Sequence, residues 1–270
     1  MYLKMIELPT ERSTVETYNP KLLIIFGKPK SGKSSFVAAI DDNLIIDLED
    51  GYRALSVMKV QARTSKDMQE IREAILKKGK ELKKAPYRFI TIDNATRLEE
   101  MSIPLAAELY RNTPMGSGWG LLTDSKGMPV KDPKTGKTMV DPKADVRQLA
   151  NGAGYLYLRK AIKQLIDMFK PLCESLILVC HVKDKQIRKN GEEMSEMAVD
   201  LAGKSADLVC GEADAVGYLY REGNKTYLSF EGGDNTIREA RSPHLRGKKL
   251  LVAESNENNE VVFDTTKVFI

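Results

Sequence analysis

The sequence has little of what marks secreted, membrane or strongly nucleic-acid-binding chains. Its 270 residues include only three cysteines, without C-x-x-C spacing, and the formal net charge is only +4. Cys173, Cys180 and Cys210 each lie in or beside an apolar stretch, which predicts reduced, mostly buried thiols and neither a disulfide framework nor a metal site. Because the net charge is small, any basic surface must come from local clustering.

Long hydrophobic runs are also missing, and none approaches the length that spans a membrane. The first fifteen residues, MYLKMIELPTERSTV, carry charges throughout and have no apolar core, so we expect no signal peptide. There is no internal repeat and no low-complexity tract. Together with the reduced thiols, these features predict a cytoplasmic globular protein with no membrane association, long enough for one large domain.

One segment carries a specific signal. Residues 27–34 read GKPKSGKS, between the apolar run KLLIIF and the helical SSFVAAI. This is the phosphate-binding P-loop pattern G-x-x-x-x-G-K-[ST] in its strand–turn–helix context, and the bland alternative is an incidental Gly/Lys loop. The predicted phosphate-binding residues are Gly27, Lys28, Pro29, Lys30, Ser31, Gly32, Lys33, Ser34 and Ser35.

The spacing of this pattern has a chemical reason. The two glycines let the backbone curl so that its N–H groups surround a phosphate, and the helix N-terminus adds partial positive charge there. Lys33 can reach the outer phosphates, and the Ser34 hydroxyl can ligate Mg²⁺. The chain has no guanine-reading N-K-x-D motif, which favours ATP over GTP as the nucleotide.

Strands and helices alternate through the first two thirds of the chain. Hairpin-like strands follow after residue 207. This order predicts an α/β fold with a mainly parallel sheet flanked by helices and an antiparallel C-terminal extension. We expect a lead-in at 1–20, a core at 21–250 and C-terminal strands of the same domain at 251–270. A polar excursion rich in Gly and Pro is inserted at about 112–145.

The predicted strand segments end in acids. Asp93 closes FITID and is the candidate second Mg²⁺ ligand; the alternative is a strand-ending Asp that caps the next helix. Asp47, Glu49 and Asp50 close IIDLED and are candidates for the base that orients water, with Glu49 favoured for its longer reach. The alternative for this cluster is a solvated turn.

The next predicted strand ends at His181, at the carboxyl edge of the sheet, where ligands bind in open α/β folds. There it could sense a γ-phosphate, or it could be an ordinary satisfied histidine. A basic loop follows, which could bind the phosphates of single-stranded DNA or be a solvated charge run. Its candidate DNA-binding residues are Lys183, Lys185, Arg188 and Lys189.

Two further features leave alternatives open. Arg238, Arg241 and Arg246 lie in TIREARSPHLRGK, and an arginine of one subunit can complete its neighbour's site in multi-subunit NTPases. Trp119, the sole tryptophan, lies in the excursion, where it could stack on a base or anchor the loop.

Taken in chain order, residues 20–245 resemble the core of RecA-type ATPases. LIIDLEDGYRAL is similar to their acid-rich segment, which implies that Glu49 activates the attacking water. FITIDNATRL resembles their Walker B strand, with Asp93 as its acid, and LILVCHVK resembles the strand that carries their γ-phosphate sensor, here His181. The resemblance implies a Mg²⁺-dependent ATPase.

The same resemblance extends to partners. It implies a DNA-binding loop at 183–204 and, in TIREARSPH, Arg238 and Arg241 as cationic residues that act across a subunit interface. Within the superfamily the chain most resembles phage-encoded nucleotide-binding proteins of the AAA/RecA-like type, some of them single-strand annealing proteins of the Sak group. The traits are the short N-terminus, GYLYLRKAIKQLIDMF and the H-x-K-x-K segment.

This closer resemblance implies single-stranded DNA as a partner in phage recombination, annealing or repair, in the host cytoplasm, and a homo-oligomer, ring or filament. The chain lacks a recognisable counterpart of RecA's polymerisation segment and of its C-terminal DNA-gating domain. Two rival functions use the same P-loop. One is a phosphotransferase acting on a small substrate, although the 112–145 excursion has few of the arginines typical of a kinase lid. The other is a non-enzymatic, nucleotide-gated loader or accessory module.

Overall fold

A computed structural model describes residues 8, 10–141, 143–189, 192–233, 236–256 and 261–270; the side chains of residues 185–196 lie outside the description. Within these ranges the helices are α1 (Lys33–Ala38), α2 (Ser65–Leu82), α3 (Ala95–Arg111), α4 (Gly154–Asp167) and α5 (Ser205–Glu212). The strands are β1 (Leu22–Gly27), β2 (Asn43–Asp47), β3 (Met58–Gln61), β4 (Phe89–Asp93), β5 (Ser175–Lys189), β6 (Glu192–Val199), β7 (Ala215–Glu222), β8 (Lys225–Ser229), β9 (Glu239–Ala240), β10 (Lys249–Ser255) and β11 (Val261–Phe263).

Nine of the described strands lie side by side in one mixed sheet in the order β11-β10-β8-β7-β1-β5-β4-β2-β3, while β6 pairs with β5 and β9 with β7. The six strands from β7 to β3 are parallel, and β8, β10 and β11 add antiparallel pairs at one side. The predicted α/β fold, a mainly parallel sheet flanked by helices with an antiparallel C-terminal extension, is confirmed. In this order β5 separates the P-loop strand β1 from the Asp93 strand β4.

The sheet is covered on both faces. Every residue of β1, β2 and β4 is buried, which explains why these strands are nearly continuous apolar runs. Along β1, Leu22, Ile24 and Phe26 pack in the cluster with α2, α3 and α4, while Leu23 and Ile25 pack on the other face with α1 and the C-terminal segment. Among the described residues, none of the helices is long and apolar enough to span a bilayer.

The structure corrects the prediction of a loop directly after His181. Strand β5 continues to Lys189 and pairs antiparallel with β6, so most of 183–204 is a two-stranded ribbon. The overlooked signal is Asn190-Gly191, the dipeptide preferred in tight hairpin turns; these two residues lie outside the described ones. The edge strand β3 and helix α5 were also missed. β3 has only four residues, and α5 is too short to establish a periodic pattern.

The 112–145 excursion is anchored at its base. Trp119 packs edge-on against Tyr110, with ring centroids 5.4 Å apart, so its contacts are those of a loop anchor. Beyond it, isolated antiparallel bridges such as Leu121 to Val140 order the segment. At the far end, a Cβ on Gly154 would overlap the carbonyl group of Val146. The absence of a side chain at residue 154 therefore allows the start of α4 to pack directly against the backbone of Val146.

Replacing the core leucine of α4 gives a direct measure of this packing. Leu165 is fully buried against the sheet, so we expect Leu165→Ala to lower the free energy of unfolding by about 2–5 kcal/mol in chemical denaturation. Leu156→Ala on the same helix is the matched control, because Leu156 is 45% exposed and should cost less than about 1 kcal/mol. Equal losses would contradict the assigned face of α4.

Candidate active site

The P-loop is shaped by two glycines and by the neighbouring strand. A Cβ on Gly27 would overlap the carbonyl oxygen of Leu219, so β7 approaches the loop closely only because residue 27 is glycine. Gly32 has φ of 101°, a left-handed conformation that favours glycine, and α1 begins at the next residue. The Ser31 amide donates to the Lys28 carbonyl (3.2 Å), which closes the turn.

Lys33 lies at the centre of this loop. Its Nζ donates to the carbonyl oxygens of Gly27 and Lys28, both at 2.9 Å. Burial lowers the pKa of Lys33, and the nearby Asp93 carboxylate opposes that shift. Phosphate oxygens carry full charge and are stronger acceptors than neutral carbonyls, so the ammonium is placed to transfer its hydrogen bonds to a nucleotide.

Two oxygen ligands converge beside Lys33. Ser34 Oγ donates to Asp93 Oδ2 at 3.2 Å, although β5 separates the strands that lead to these two residues. Burial raises the pKa of Asp93, while hydrogen bonds from Tyr52 and Ser34 act in the opposite direction. A hydroxyl and one carboxylate fit Mg²⁺, which is commonly held by one or two carboxylates together with substrate phosphates. The described residues hold no group of three or more His, Cys, Asp or Glu that could bind a metal.

Tyr52 is a site residue that the sequence did not reveal. Its hydroxyl donates to the same Asp93 oxygen as Ser34, and it is almost fully buried. Burial, with the neighbouring carboxylate, raises the pKa of Tyr52, so the phenol remains a proton donor. In the sequence it looks like an ordinary residue after the turn glycine Gly51, because its partner lies 41 positions away.

The three acids after β2 have different surroundings. Asp47 is buried and accepts the backbone N–H groups of Glu49 (3.1 Å) and Gly51 (3.2 Å), so it holds the turn in shape. Asp50 is bound by the guanidinium of Arg53. The Glu49 side chain is the most exposed of the three, at 41% against 1% for Asp47 and 26% for Asp50. Glu49 is therefore the acid with access to a ligand.

An open cleft of about 610 Å³ adjoins Glu49. It lies between the carboxyl ends of β2 and β3 and the helices α2 and α3, and its charged lining includes Arg63, Lys66, Arg97 and Glu100. The Arg97 guanidinium lies 3.8 Å from Glu49 Oε1 and 2.6 Å from Glu100 Oε2. Arg97 thus connects the start of α3 to the candidate base.

His181 lies beside the P-loop, in register with Gly27. Asn94 Oδ1 accepts the Arg97 N–H as the cap of α3, which fixes the amide so that Nδ2 faces His181 Nε2 at 3.0 Å. An amide NH₂ only donates, so the neutral imidazole carries its proton on Nδ1. That Nδ1 is buried and has no hydrogen-bond partner among the described residues.

The ribbon after His181 carries the predicted DNA-binding residues. Lys183 donates to the Leu201 carbonyl and lies 3.7 Å from Asp200. The side chains of Lys185, Arg188 and Lys189 lie outside the description, but their backbones pair with β6 in a defined register. It places Lys185 opposite Glu196, Arg188 opposite Glu193 and Lys189 opposite Glu192.

The arginines predicted to act between subunits are bound within their own chain. Arg238 donates to Thr236 Oγ1 (3.0 Å) and Ser229 Oγ (3.2 Å). Arg241 donates to the Gly211 carbonyl (2.9 Å) and pairs with Asp214 at 3.6 Å. Because Asp214 also accepts the Lys21 amide just before β1, Arg241 lies at the edge of the sheet opposite the P-loop.

The three cysteines are not part of this site as nucleophiles. Cys173 and Cys180 are buried, as predicted, and Cys210 is partly so. Burial raises the pKa of all three, to about 11 for Cys173 and about 12 for Cys210, which keeps the thiols protonated at neutral pH.

The AAA domain family model matches residues 19–126 and 133–249, so this chain belongs to the AAA domain family. It is a nucleotide-binding domain of the AAA type. No curated protein matches the sequence.

Among solved structures, the chain is similar to one described as the crystal structure of the RadB recombinase. The TM-score is 0.46 and the sequence identity 11%, over 90% of this chain and 91% of that one.

The buried carboxylate provides a test of the metal site. Asp93→Asn removes a charge that burial disfavours, so the protein should melt at the same or a higher temperature. The additional rise in melting temperature that Mg²⁺ gives in the presence of ATP, relative to ATP with EDTA, should disappear. Asp41→Asn, at an exposed carboxylate after α1, is the control and should keep it. A Mg²⁺-dependent rise that survives in Asp93→Asn would contradict this assignment.

Proposed function

We propose that this protein is a Mg²⁺-dependent ATP hydrolase that binds single-stranded DNA in phage recombination, annealing or repair. The observation that carries the hydrolase proposal is the convergence of three elements at one sheet edge. These are the P-loop, the Ser34–Asp93 pair and the accessible Glu49. The DNA and phage parts rest on the sequence resemblance to phage AAA/RecA-like proteins.

The chemistry follows from these positions. The loop amides and Lys33 would bind the triphosphate, and Ser34 and Asp93 would hold Mg²⁺. A metal held there would supply neutralisation of phosphate charge. Glu49 accepts a proton from water as the water oxygen bonds to the γ-phosphorus and the bond to the ADP oxygen breaks. The proton then passes to solvent, and ADP and phosphate leave.

His181 is the proposed reporter of the γ-phosphate. His181 is in register with Gly27, its Nδ1 is buried without a hydrogen-bond partner among the described residues, and its carbonyl accepts the Asp200 amide at 2.9 Å. Asp200 is in turn bound to α3, because Thr96 Oγ1 donates to its carbonyl at 3.1 Å. The buried Glu99 accepts the Ala202 amide with both oxygens. A change at His181 would therefore reach both the base of the ribbon and the start of α3.

The ribbon is the proposed DNA contact, and its charge constrains how it acts. Residues 183–196 contain four basic and four acidic residues, so their formal net charge is zero. Long-range attraction from the ribbon is therefore small, and each of Lys185, Arg188 and Lys189 stands opposite an acid in the backbone register, which opposes its binding of DNA phosphates.

A homo-oligomer, as a ring or filament, remains part of the proposal. Arg238 or Arg241 would act on a neighbour's nucleotide only by giving up the bonds that it makes in its own subunit. Assembly would then be coupled to a local rearrangement, which light scattering with and without nucleotide can follow.

The cleft beside Glu49 favours a second candidate, a phosphotransferase. Its volume of about 610 Å³ could hold a small acceptor in place of the attacking water. The two functions differ in their products. Hydrolysis releases one phosphate for each ADP formed, whereas transfer leaves ADP in excess over free phosphate.

Neutralising Glu49 tests the proposed base. Glu49→Gln should lower the hydrolysis rate by about a hundredfold or more while ATP binding is retained. Asp50→Asn is the matched control from the same acid cluster, and it should change the rate less than about threefold because Asp50 pairs with Arg53 and Lys59 at the surface. The readout is phosphate release under saturating Mg·ATP. A fast Glu49→Gln variant would show that the base is elsewhere.

Opposite charge changes in the ribbon test DNA binding. Replacing Lys185, Arg188 and Lys189 by Ala should weaken binding to labelled oligothymidylate and lower the slope of log K against log salt by up to about 2. Replacing Glu192, Glu193 and Glu196 by Gln is the matched control, and it should strengthen binding. Fluorescence anisotropy at low salt gives both affinities. Identical affinities in the two variants, or wild-type hydrolysis that single-stranded DNA leaves unchanged, would contradict the proposal.

A further inference from the structure

The P-loop strand has two dissimilar neighbours. On one side β1 pairs with β5, and beyond it lie β4 and β2. Asp93, Glu49 and His181 are all at the carboxyl ends of these strands. The γ-phosphate has to face these groups for the proposed hydrolysis, so the nucleoside of a bound nucleotide extends toward the other neighbour of β1, which is β7.

On the β7 side of β1, two side chains lie close to Gly32 of the P-loop. Phe263 Cζ is 3.3 Å, and Arg221 Nη2 3.8 Å, from the position that a Cβ on Gly32 would occupy. Arg221 comes from the carboxyl end of β7, whereas Phe263 is the last residue of β11 at the far end of the sheet order. Residues that are distant in sheet order thus meet at the start of α1.

The surroundings of the two residues fit a ligand contact. Phe263 is half-buried and meets the ring of Phe36 on α1 edge-on, with centroids 5.9 Å apart, which fixes it relative to the phosphate loop. Arg221 is exposed. An aromatic ring and a guanidinium are the two side-chain types that bind nucleic-acid bases by stacking, because every base presents a π-face.

We propose that Phe263 and Arg221 form the nucleoside site, with Phe263 packing on the base and Arg221 covering it from β7. This rests on the proposed binding of ATP at the P-loop. The antiparallel extension then has a functional reason: β8 and β10 carry β11 across to the P-loop. The site takes the nucleoside attached to the phosphates that the loop holds.

The test compares a ligand with a base to one without. Calorimetry measures the Kd of Mg·ATP and of Mg·tripolyphosphate, which has the phosphates alone. Phe263→Ala and Arg221→Ala should each weaken ATP binding about tenfold and leave tripolyphosphate binding within twofold. Phe263→Trp should keep ATP affinity near the wild-type value. Val262→Ala, at a 77% exposed neighbour on β11, is the control and should change neither affinity.

A second substitution separates recognition from packing. Phe263→Leu keeps an apolar contact with Phe36 but removes the aromatic face, so it should also weaken ATP binding selectively. If the Phe263 variants weaken ATP and tripolyphosphate equally, Phe263 merely supports the loop and the proposal is overturned. Unchanged ATP affinity would overturn it as well. Failure of the wild-type protein to bind either ligand would instead refute the P-loop function itself.

Discussion

The site depends on one buried carboxylate. Asp93 ends a fully buried strand, and an ionised carboxylate in that position is disfavoured unless hydrogen bonds and a cation compensate. Tyr52, from the turn after β2, and Ser34 and Lys33, both at the start of α1, provide these. Removing the carboxylate would relieve the fold of an electrostatic cost, so its presence points to a ligand that needs it.

The order of the strands makes this arrangement possible. Only β5 lies between β1, which leads into the P-loop, and β4, which ends at Asp93. His181 lies on β5, in register with Gly27. The same strand then continues as the ribbon. A single element therefore runs from the phosphate site to the surface, which gives a direct mechanical connection without a chain of intermediate contacts.

The sequence was sufficient to predict those features that depend on residues close together in the chain. The P-loop is a contiguous pattern with a fixed physical reason for each residue, and the strand–helix alternation predicts the parallel sheet. It was insufficient where partners are distant, because Tyr52 meets a residue 41 positions away and Arg221 and Phe263 meet only through the fold. The ribbon was mispredicted for a different reason: its high charge was interpreted as a loop, although the Asn190-Gly191 pair indicated a hairpin.

The P-loop has different kinds of side chain on its β5 side and on its β7 side. Toward β5 lie Asp93, hydrogen-bonded to Ser34, and His181, hydrogen-bonded to Asn94, as the proposed positioning of a reacting phosphate requires. Toward β7 lie an aromatic ring and a guanidinium, the types of side chain that bind by surface contact and tolerate small displacements. The side proposed to perform chemistry is built on central strands, where geometry is rigid, and the other side on an edge strand and an exposed arginine. Under the two proposals, such a division would allow nucleotide affinity to vary without disturbing the hydrolytic groups.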